Sequence, residues 1–412
     1  MAMDREPGQI PAHDWDRFVA QHWARTPARA ALGAAPLDAD HAFRLVREIA
    51  RPFRAGMRFF MLPALRFHVG DADIRAPGDL LPDDGDVAIR DYLQRLDARL
   101  RPCAPWLEIE QPLVADPAAW AAVRGFLQDL WDRVGCPLQP IAASLTLGRY
   151  VRERAVDASV LLLPLDGEVR VRIAPPGADG GAVRDWSAGP GQLIYWPAGW
   201  RARERSEDAL ALQLSVPQAP AALADEVRDL AIGMLQPVLY PDGDTPAFPV
   251  EPAREADGGT GLPAPLQRLV CELSAFASGQ DLETALQVRW ASRRSACALE
   301  PAPPRGRPPP LRDEDCIRMA PGARIAVMPV GEGMAVWAVN GHALGVPASA
   351  GADAMRHRLE AGGTHRVADL CGAPDPDPAL RVALDRLHAA RGVALDRARE
   401  APAGRSEADA RG

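Results

Sequence analysis

The stretch from residue 141 to 216 constrains the fold most. Apolar runs at 141–147, 159–165, 168–174, 192–196 and 209–216 are separated by Asp166-Gly167, Pro175-Pro176-Gly177 and Gly189-Pro190-Gly191. Runs this short, bounded by Gly and Pro, read as strands. Many short strands with regular turns predict a jelly roll or a small barrel.

On either side the period lengthens to that of a helix. Trp15, Phe18, Val19, His22 and Trp23 share one helical face. Asp38 caps a helix carrying Phe43, Val46 and Ile49, and Ile89, Tyr92, Leu93, Leu96 and Leu100 form another stripe. The best-marked helix opens on Asp116 as cap with Pro117 at its first position. It runs through Trp120, Val123, Phe126, Leu127, Leu130, Trp131 and Val134 to a stop at Gly135. Short strands are expected at 58–61 and 65–69, around Pro63.

After Pro217 the segments 222–235, 266–276 and 281–294 are again helical in pattern, with apolar stripes too broad for lone surface helices. In 300–310 six of eleven residues are proline, which predicts a stiff linker and a domain boundary. Asn340-Gly341 between 335–339 and 342–346 is a strong hairpin signal. Helices follow, the last from Asp377-Pro378 to Gly392, and the whole suggests a winged helix. The expected division is 1–217, a helical region at 218–299, the linker 300–310, a domain at 311–395 and a disordered tail at 396–412.

Composition narrows the chemistry. The 412 residues carry a net charge of −8, which weighs against a nucleic-acid or anionic-membrane partner. No apolar run approaches the roughly 18 residues of a membrane span. Asp4, Glu6, Asp14 and Asp16, with no apolar core among them, predict no signal peptide and a cytoplasmic protein. All 47 basic residues are arginine, so Schiff-base lysine chemistry and a P-loop lysine are excluded. The 6 cysteines form no C-x-x-C pair, which leaves them as buried or neutral thiols. Of the 8 histidines, none lies between His68 and His342.

Trp15-Asp16-Arg17-Phe18, followed by His22-Trp23-Ala24-Arg25-Thr26-Pro27, resembles the entry helix of bacterial JmjC-type (cupin-like) 2-oxoglutarate oxygenases of the ribosomal-oxygenase kind. Residues 159–173, an apolar run reaching Gly167 and then a basic, apolar strand, are similar to that family's strand–turn–strand. Gly189-Pro190-Gly191 through Tyr195-Trp196-Pro197 to Gly199-Trp200 resembles its P-G-D-x-L-Y-x-P-x-G-W segment. The later layout fits too, so the resemblance covers most of 13–395. It implies an α+β fold: a double-stranded β-helix of the JmjC/cupin-like jelly-roll kind, with an N-terminal helical cap, a helical dimerisation region and a C-terminal winged helix.

The family's chemistry needs an H-x-D before the apolar run and a His two residues after the G-W. These form a facial triad that leaves Fe(II) open to 2-oxoglutarate and O₂. Carried onto this chain, the three positions fall on Arg154, Val156 and Ala202. Arginine is not deprotonated in proteins, and valine and alanine carry no donor. A shifted register brings in no histidine, and Glu153 and Asp157 cannot supply a two-histidine site. The expectation is no catalytic residue, no metal and no cofactor. Arg170 or Arg172 matches the strand position that anchors the 2-oxoglutarate carboxylate in the family. With Arg154 it would form a metal-free anion pocket, or else these arginines pair with Asp157, Glu168 or Glu204 and fill the cavity.

Other candidates carry less. His68 with Asp71 and Asp73 falls short of a closed metal site. His342, His357, His365 and His388 would need four convergent ligands, with only Cys371 to help. Trp186, Trp196 and Trp200 are either an aromatic wall for a peptide or core packing. From 311 to 395, nine Arg face ten acids, unlike a helix that reads phosphates. The chain is thus expected to be a pseudo-oxygenase that binds a peptide or protein and is dimeric, either with itself or with an active JmjC-type relative. A Fe(II)/2-oxoglutarate protein hydroxylase and a ligand-sensing DNA-binding regulator remain as alternatives.

Overall fold

The structure is a computed structural model that describes residues 9–10, 14–56, 63–154, 157–177, 183–218, 224, 227–233, 264–331 and 333–396. In chain order its N-terminal part contains β1 (Gln9–Ile10), α1 (Trp15–Gln21), β2 (Ala28–Ala31), α2 (Ala39–Arg54), β3 (Ala64–Val69), β4 (Ala72–Asp73), α3 (Ile89–Leu100), β5 (Pro105–Glu110) and α4 (Pro117–Val134). The strand-rich stretch is β6 (Ala142–Arg154), β7 (Ala158–Asp166), β8 (Val169–Ala174), β9 (Arg184–Ala188), β10 (Gln192–Trp196) and β11 (Arg201–Pro217). The strand expected at 58–61 lies outside the described residues apart from its neighbour β3, as do Val156 and most of the tail.

The helix at α4 begins and ends where its caps require. Asp116 accepts hydrogen bonds from the amides of Ala118 and Ala119 at 2.7 and 3.2 Å, and Gly135 ends the helix at φ 87°. These bonds satisfy donors that a helix start otherwise leaves orphaned.

Pairing in the main sheet is mostly antiparallel and turns on double-length strands. β11 has 17 residues and pairs along its whole length with β6. On its other edge residues 201–206 pair with β8 and 210–217 with β7. β9 pairs with β8, and β10 with β7, so β9 and β10 continue one another as β8 and β7 do. All four double strands are interrupted at one level. Gly148 in β6 pairs with Ala209, beside the register shift between Ser206 and Ala209 in β11. A Cβ on Gly167, between β7 and β8, would lie 2.9 Å from the Ala209 Cα, and one on Gly189 would lie 3.7 Å from the Gly167 carbonyl.

The two halves on either side of this line have different surroundings. Leu161, Leu163, Leu193, Tyr195, Leu212 and Leu214 pack outward against the helices of the N-terminal part in one large core. The alternate residues Val160, Leu162, Ile194 and Trp196 point the other way and pack with Val169, Val171, Ile173, Trp186 and Ala202 of the second half. Both faces of β7 are therefore buried, which is why its sequence is a continuous apolar run.

The C-terminal part follows α5 (Ala264–Ser278) and α6 (Gln280–Ser295). It comprises β12 (Cys316–Met319), β13 (Ala326–Pro329), β14 (Met334–Val339), β15 (His342–Pro347), α7 (Ala350–Glu360), β16 (His365–Arg366), α8 (Val367–Leu370), α9 (Pro378–Ala389) and β17 (Val393–Leu395). Its own core includes Ile317, Trp337, Leu344, Met355, Leu359, Leu384 and Leu387. The β14–β15 hairpin turns on Asn340 and Gly341, at φ 51° and 89°, the two positive dihedrals that a two-residue turn of this kind requires.

The proline-rich stretch 300–310 is not a free spacer. The Trp120 indole donates to the Glu300 carbonyl at 2.8 Å, Ala302 donates to the Asn340 carbonyl at 2.9 Å, and Arg305 donates to the Ala389 carbonyl at 2.8 Å. Ala296 to Leu299 and Ala302 belong to the first core. The strap thus holds the C-terminal part to the strand-rich part, and its prolines lower the entropy lost in doing so. No helix among the described residues is long and apolar enough to cross a membrane.

The bend line gives a test. Gly148 sits at φ +120° with the Pro105 carbonyl oxygen 2.5 Å from any added Cβ, whereas Gly177, at φ +95°, has open space. Gly148→Ala is expected to cost on the order of 3 kcal/mol or more and Gly177→Ala about 1 kcal/mol in urea unfolding. Equal costs would show that the close approach at the bend does not matter.

Candidate functional site

The interior between the two halves is the candidate site, because two of the three positions carried over from the oxygenase resemblance, Arg154 and Ala202, lie on its strands; the third, Val156, is outside the described residues. Arg154 ends β6 and pairs with Ala202, which pairs on its other side with Ile173. Ala202 is buried in the interior cluster. Directly paired residues of antiparallel strands share a face, so the interior is built in layers. Tyr150, Ser206, Val169 and Ala188 form the layer nearest the bend, and Arg152, Glu204, Val171 and Trp186 form the next.

Arg170 and Arg172 do not join this interior, which corrects the sequence-based expectation. β8 alternates, burying Val169, Val171 and Ile173 and exposing Arg170 and Arg172. Arg170 instead meets Asp185 at 3.2 Å on the outer surface. Three apolar side chains on one face of a five-residue alternation decide which face turns inward. An anion pocket built by these two arginines with Arg154 is therefore not formed.

The charge inside the fold belongs to Arg152. Its Nε donates to Glu204 at 2.7 Å, Nη1 to Glu108 at 3.1 Å and Nη2 to the Gln213 side chain at 2.9 Å. The guanidinium also lies 4.8 Å from the Tyr150 ring centroid and 5.9 Å from that of Trp106. Burial works against its charge, but the Glu204 carboxylate, Tyr150 and Glu108 outweigh burial and hold the arginine above its ordinary pKa. Glu204 has 0% exposed side chain, so this is a buried ion pair between the neighbouring strands β6 and β11.

Sequence reasoning named Glu204 as a possible partner for an inward arginine but passed over Arg152, the arginine that meets it, although the signal was present. Arg201, Arg203 and Arg205 alternate with Ala202, Glu204 and Ser206, and the outward arginines leave the glutamate inside. Residues two apart on a strand share a face, and Arg152 pairs directly with Glu204.

The remaining candidates resolve into packing. Trp196 and Trp186 are buried in the interior cluster, with Trp200 against them, so they fill the space and form no open wall. His68 stacks on Trp106 with centroids 4.0 Å apart, while Asp71 and Asp73 are exposed. His342 and His365 bond backbone carbonyls of Ala302 and Gly362, and burial lowers the pKa of His388. Among the described residues no three His, Cys, Asp or Glu side chains gather as metal ligands would.

No protein-family model matches the sequence, and no curated protein matches it. The fold does have counterparts: solved structures similar to this one are of a ribosomal oxygenase. That protein is YcfD from Escherichia coli. One of its structures is 15% identical, with 93% of this chain and 98% of that chain covered and a TM-score of 0.51. Its complex with cobalt and succinic acid gives 16% identity, the same coverage and a TM-score of 0.51. Its complex with cobalt and 2-oxoglutarate gives 15% and 0.50. At such identity the likeness is one of fold, and it extends over nearly the whole chain.

Removing one member of the buried pair should be costly, and removing both much less so. Arg152→Met leaves Glu204 uncompensated and is expected to lose about 3–5 kcal/mol, with the Arg152→Met/Glu204→Met double variant recovering most of it. A double-mutant cycle by chemical denaturation reads this directly, and additive losses would mean the pair is not coupled.

Proposed function

We propose that this chain is a JmjC-type oxygenase fold that has exchanged its iron site for packing and an ion pair, and that it acts by binding a peptide or protein. The β6–β11 stretch is, in this reading, a double-stranded β-helix, and the C-terminal part a winged helix that serves protein contacts. The observation that carries the proposal is the environment of Ala202. This is the residue on which the resemblance places the distal histidine, and it is buried between Ile173 and the end of β6.

The donor set does not fit iron. Arg154, Val156 and Ala202 offer no ligand at the three carried-over positions, and no histidine occurs from residue 69 to 341. The arginine in the adjoining layer, Arg152, has its charge met by Glu204 and Glu108. No step through iron or 2-oxoglutarate is derived for these residues. A cytoplasmic location and an association with an active relative go with this reading.

Two measurements test it. Anaerobic titration is expected to show no stoichiometric Fe(II) binding, and incubation with 2-oxoglutarate no succinate. Micromolar iron affinity with succinate release would instead restore the hydroxylase reading.

The second concerns assembly. Val227, Ile232, Val270, Leu273 and Leu286 are large apolar side chains left exposed on the helical region. They are expected to be covered by a second chain, so light scattering at tens of micromolar should give a dimer and Leu273→Asp should weaken it. A monomer at that concentration, alone and with an active relative, would contradict the assembly.

A further inference from the structure

Arg124 is a cation that the fold buries without a counter-charge. It lies on α4, is 5% exposed, and faces the C-terminal part. Its Nη1 donates a hydrogen bond to the Asn340 Oδ1 at 3.3 Å, and its guanidinium stands 5.7 Å from the Trp120 ring centroid. Among the described residues no carboxylate forms an ion pair with it. Burial lowers its pKa, and the neighbouring Arg324 lowers it further.

Arg124 lines a cleft of about 430 Å³ where α4, the end of α6 and the C-terminal part meet. Arg294 and Arg324 line the same cleft, with Asp132 as the acid among its lining residues. Asp132 forms a loose ion pair with Arg324 at 3.7 Å, both being largely exposed. Arg294 has no ion-pair partner among the described residues. The two cysteines here do not supply the missing charge. Burial pushes the Cys297 thiol up to about 11 and the Cys136 thiol to about 12, so both are neutral near pH 7. Three arginines thus share one acid, which pairs with Arg324 at the surface, and a buried, unpaired charge such as that of Arg124 costs several kcal/mol.

We infer that this cleft is a binding site for a small multivalent anion, a phosphate or a carboxylate, gripped by Arg124 at its floor and by Arg294 and Arg324 at its rim. Guanidinium forks bind both groups in the same bidentate manner. The volume suits a small metabolite and not a macromolecule. Asn340 orients the floor arginine from the β14–β15 turn, so the anion would tie the C-terminal part to α4. The site is separate from the interior where an oxygenase would carry out chemistry, and it stands or falls independently of the function proposed above.

The test is a melting series on the full chain with inorganic phosphate and with malonate, each against chloride at equal ionic strength. A bound anion is expected to raise the melting temperature by about 2–4 °C at saturating concentration. Whichever of the two gives the larger rise identifies the ligand class. Arg124→Met should abolish the rise and, without anion, should melt no lower than the parent, since the uncompensated charge is gone. Should Arg124→Met fail to fold, the exposed Arg294→Gln serves instead, with affinity by calorimetry expected to fall about tenfold. No anion-specific rise, a rise retained in Arg124→Met, or unchanged affinity in Arg294→Gln would overturn the site.

Discussion

Everything in the strand-rich part depends on a shared bend. Four double-length strands cross one line, and at that line Gly148, Gly167 and Gly189 lie beside the register shift of β11. Cβ atoms at Gly148 and Gly167 would collide with neighbouring backbone, so the strands could not turn together at that level. Because they do, one sheet presents two buried faces: one packs on the N-terminal helices, the other on its own continuation. Ala202, Arg152 and Glu204 are inside only because the second half folds back over the first.

That inside holds a charge, which is uncommon. A lone buried guanidinium would be untenable, and a buried pair contributes little net stability compared with apolar packing. What the pair does provide is a fixed link across three neighbouring strands, since Arg152 reaches from β6 to β11 through Glu204 and to β5 through Glu108. In this chain arginine and glutamate occupy that interior. The same accounting of buried charge separates Arg152, which is fully met by its neighbours, from Arg124, which is not.

Much of the architecture was readable from residues. The α4 boundaries follow from Asp116, Pro117 and Gly135, and the β14–β15 turn from Asn340-Gly341, because both signals are local and rest on dihedral and capping preferences. The apolar strands at 159–165 and 192–196 were visible because both of their faces are buried. The outer half of β6 and the start of β11 were not, since Gly148–Arg154 and Arg201–Ser206 are rich in charge and show no apolar period. They become strands by pairing with each other. The proline-rich strap looked like a spacer for a similar reason: its hydrogen bonds go to residues far away in the chain.

The sequence by itself determined what this chain cannot do. No histidine between 68 and 342 and no lysine anywhere are facts of composition that no packing can reverse. It also determined which stretches are strands and which helices, wherever periodicity or a cap is strong. Which arginine faces which way was decided only by the tertiary structure. Arg152, Arg170, Arg172 and Arg124 are the same side chain, and their placement depends on which alternate face the bend encloses and which helix face the C-terminal part covers. Burial and the distance to a counter-charge are properties of the assembled fold, and they alone make one of these residues a clamp, two of them surface, and one an unmet charge.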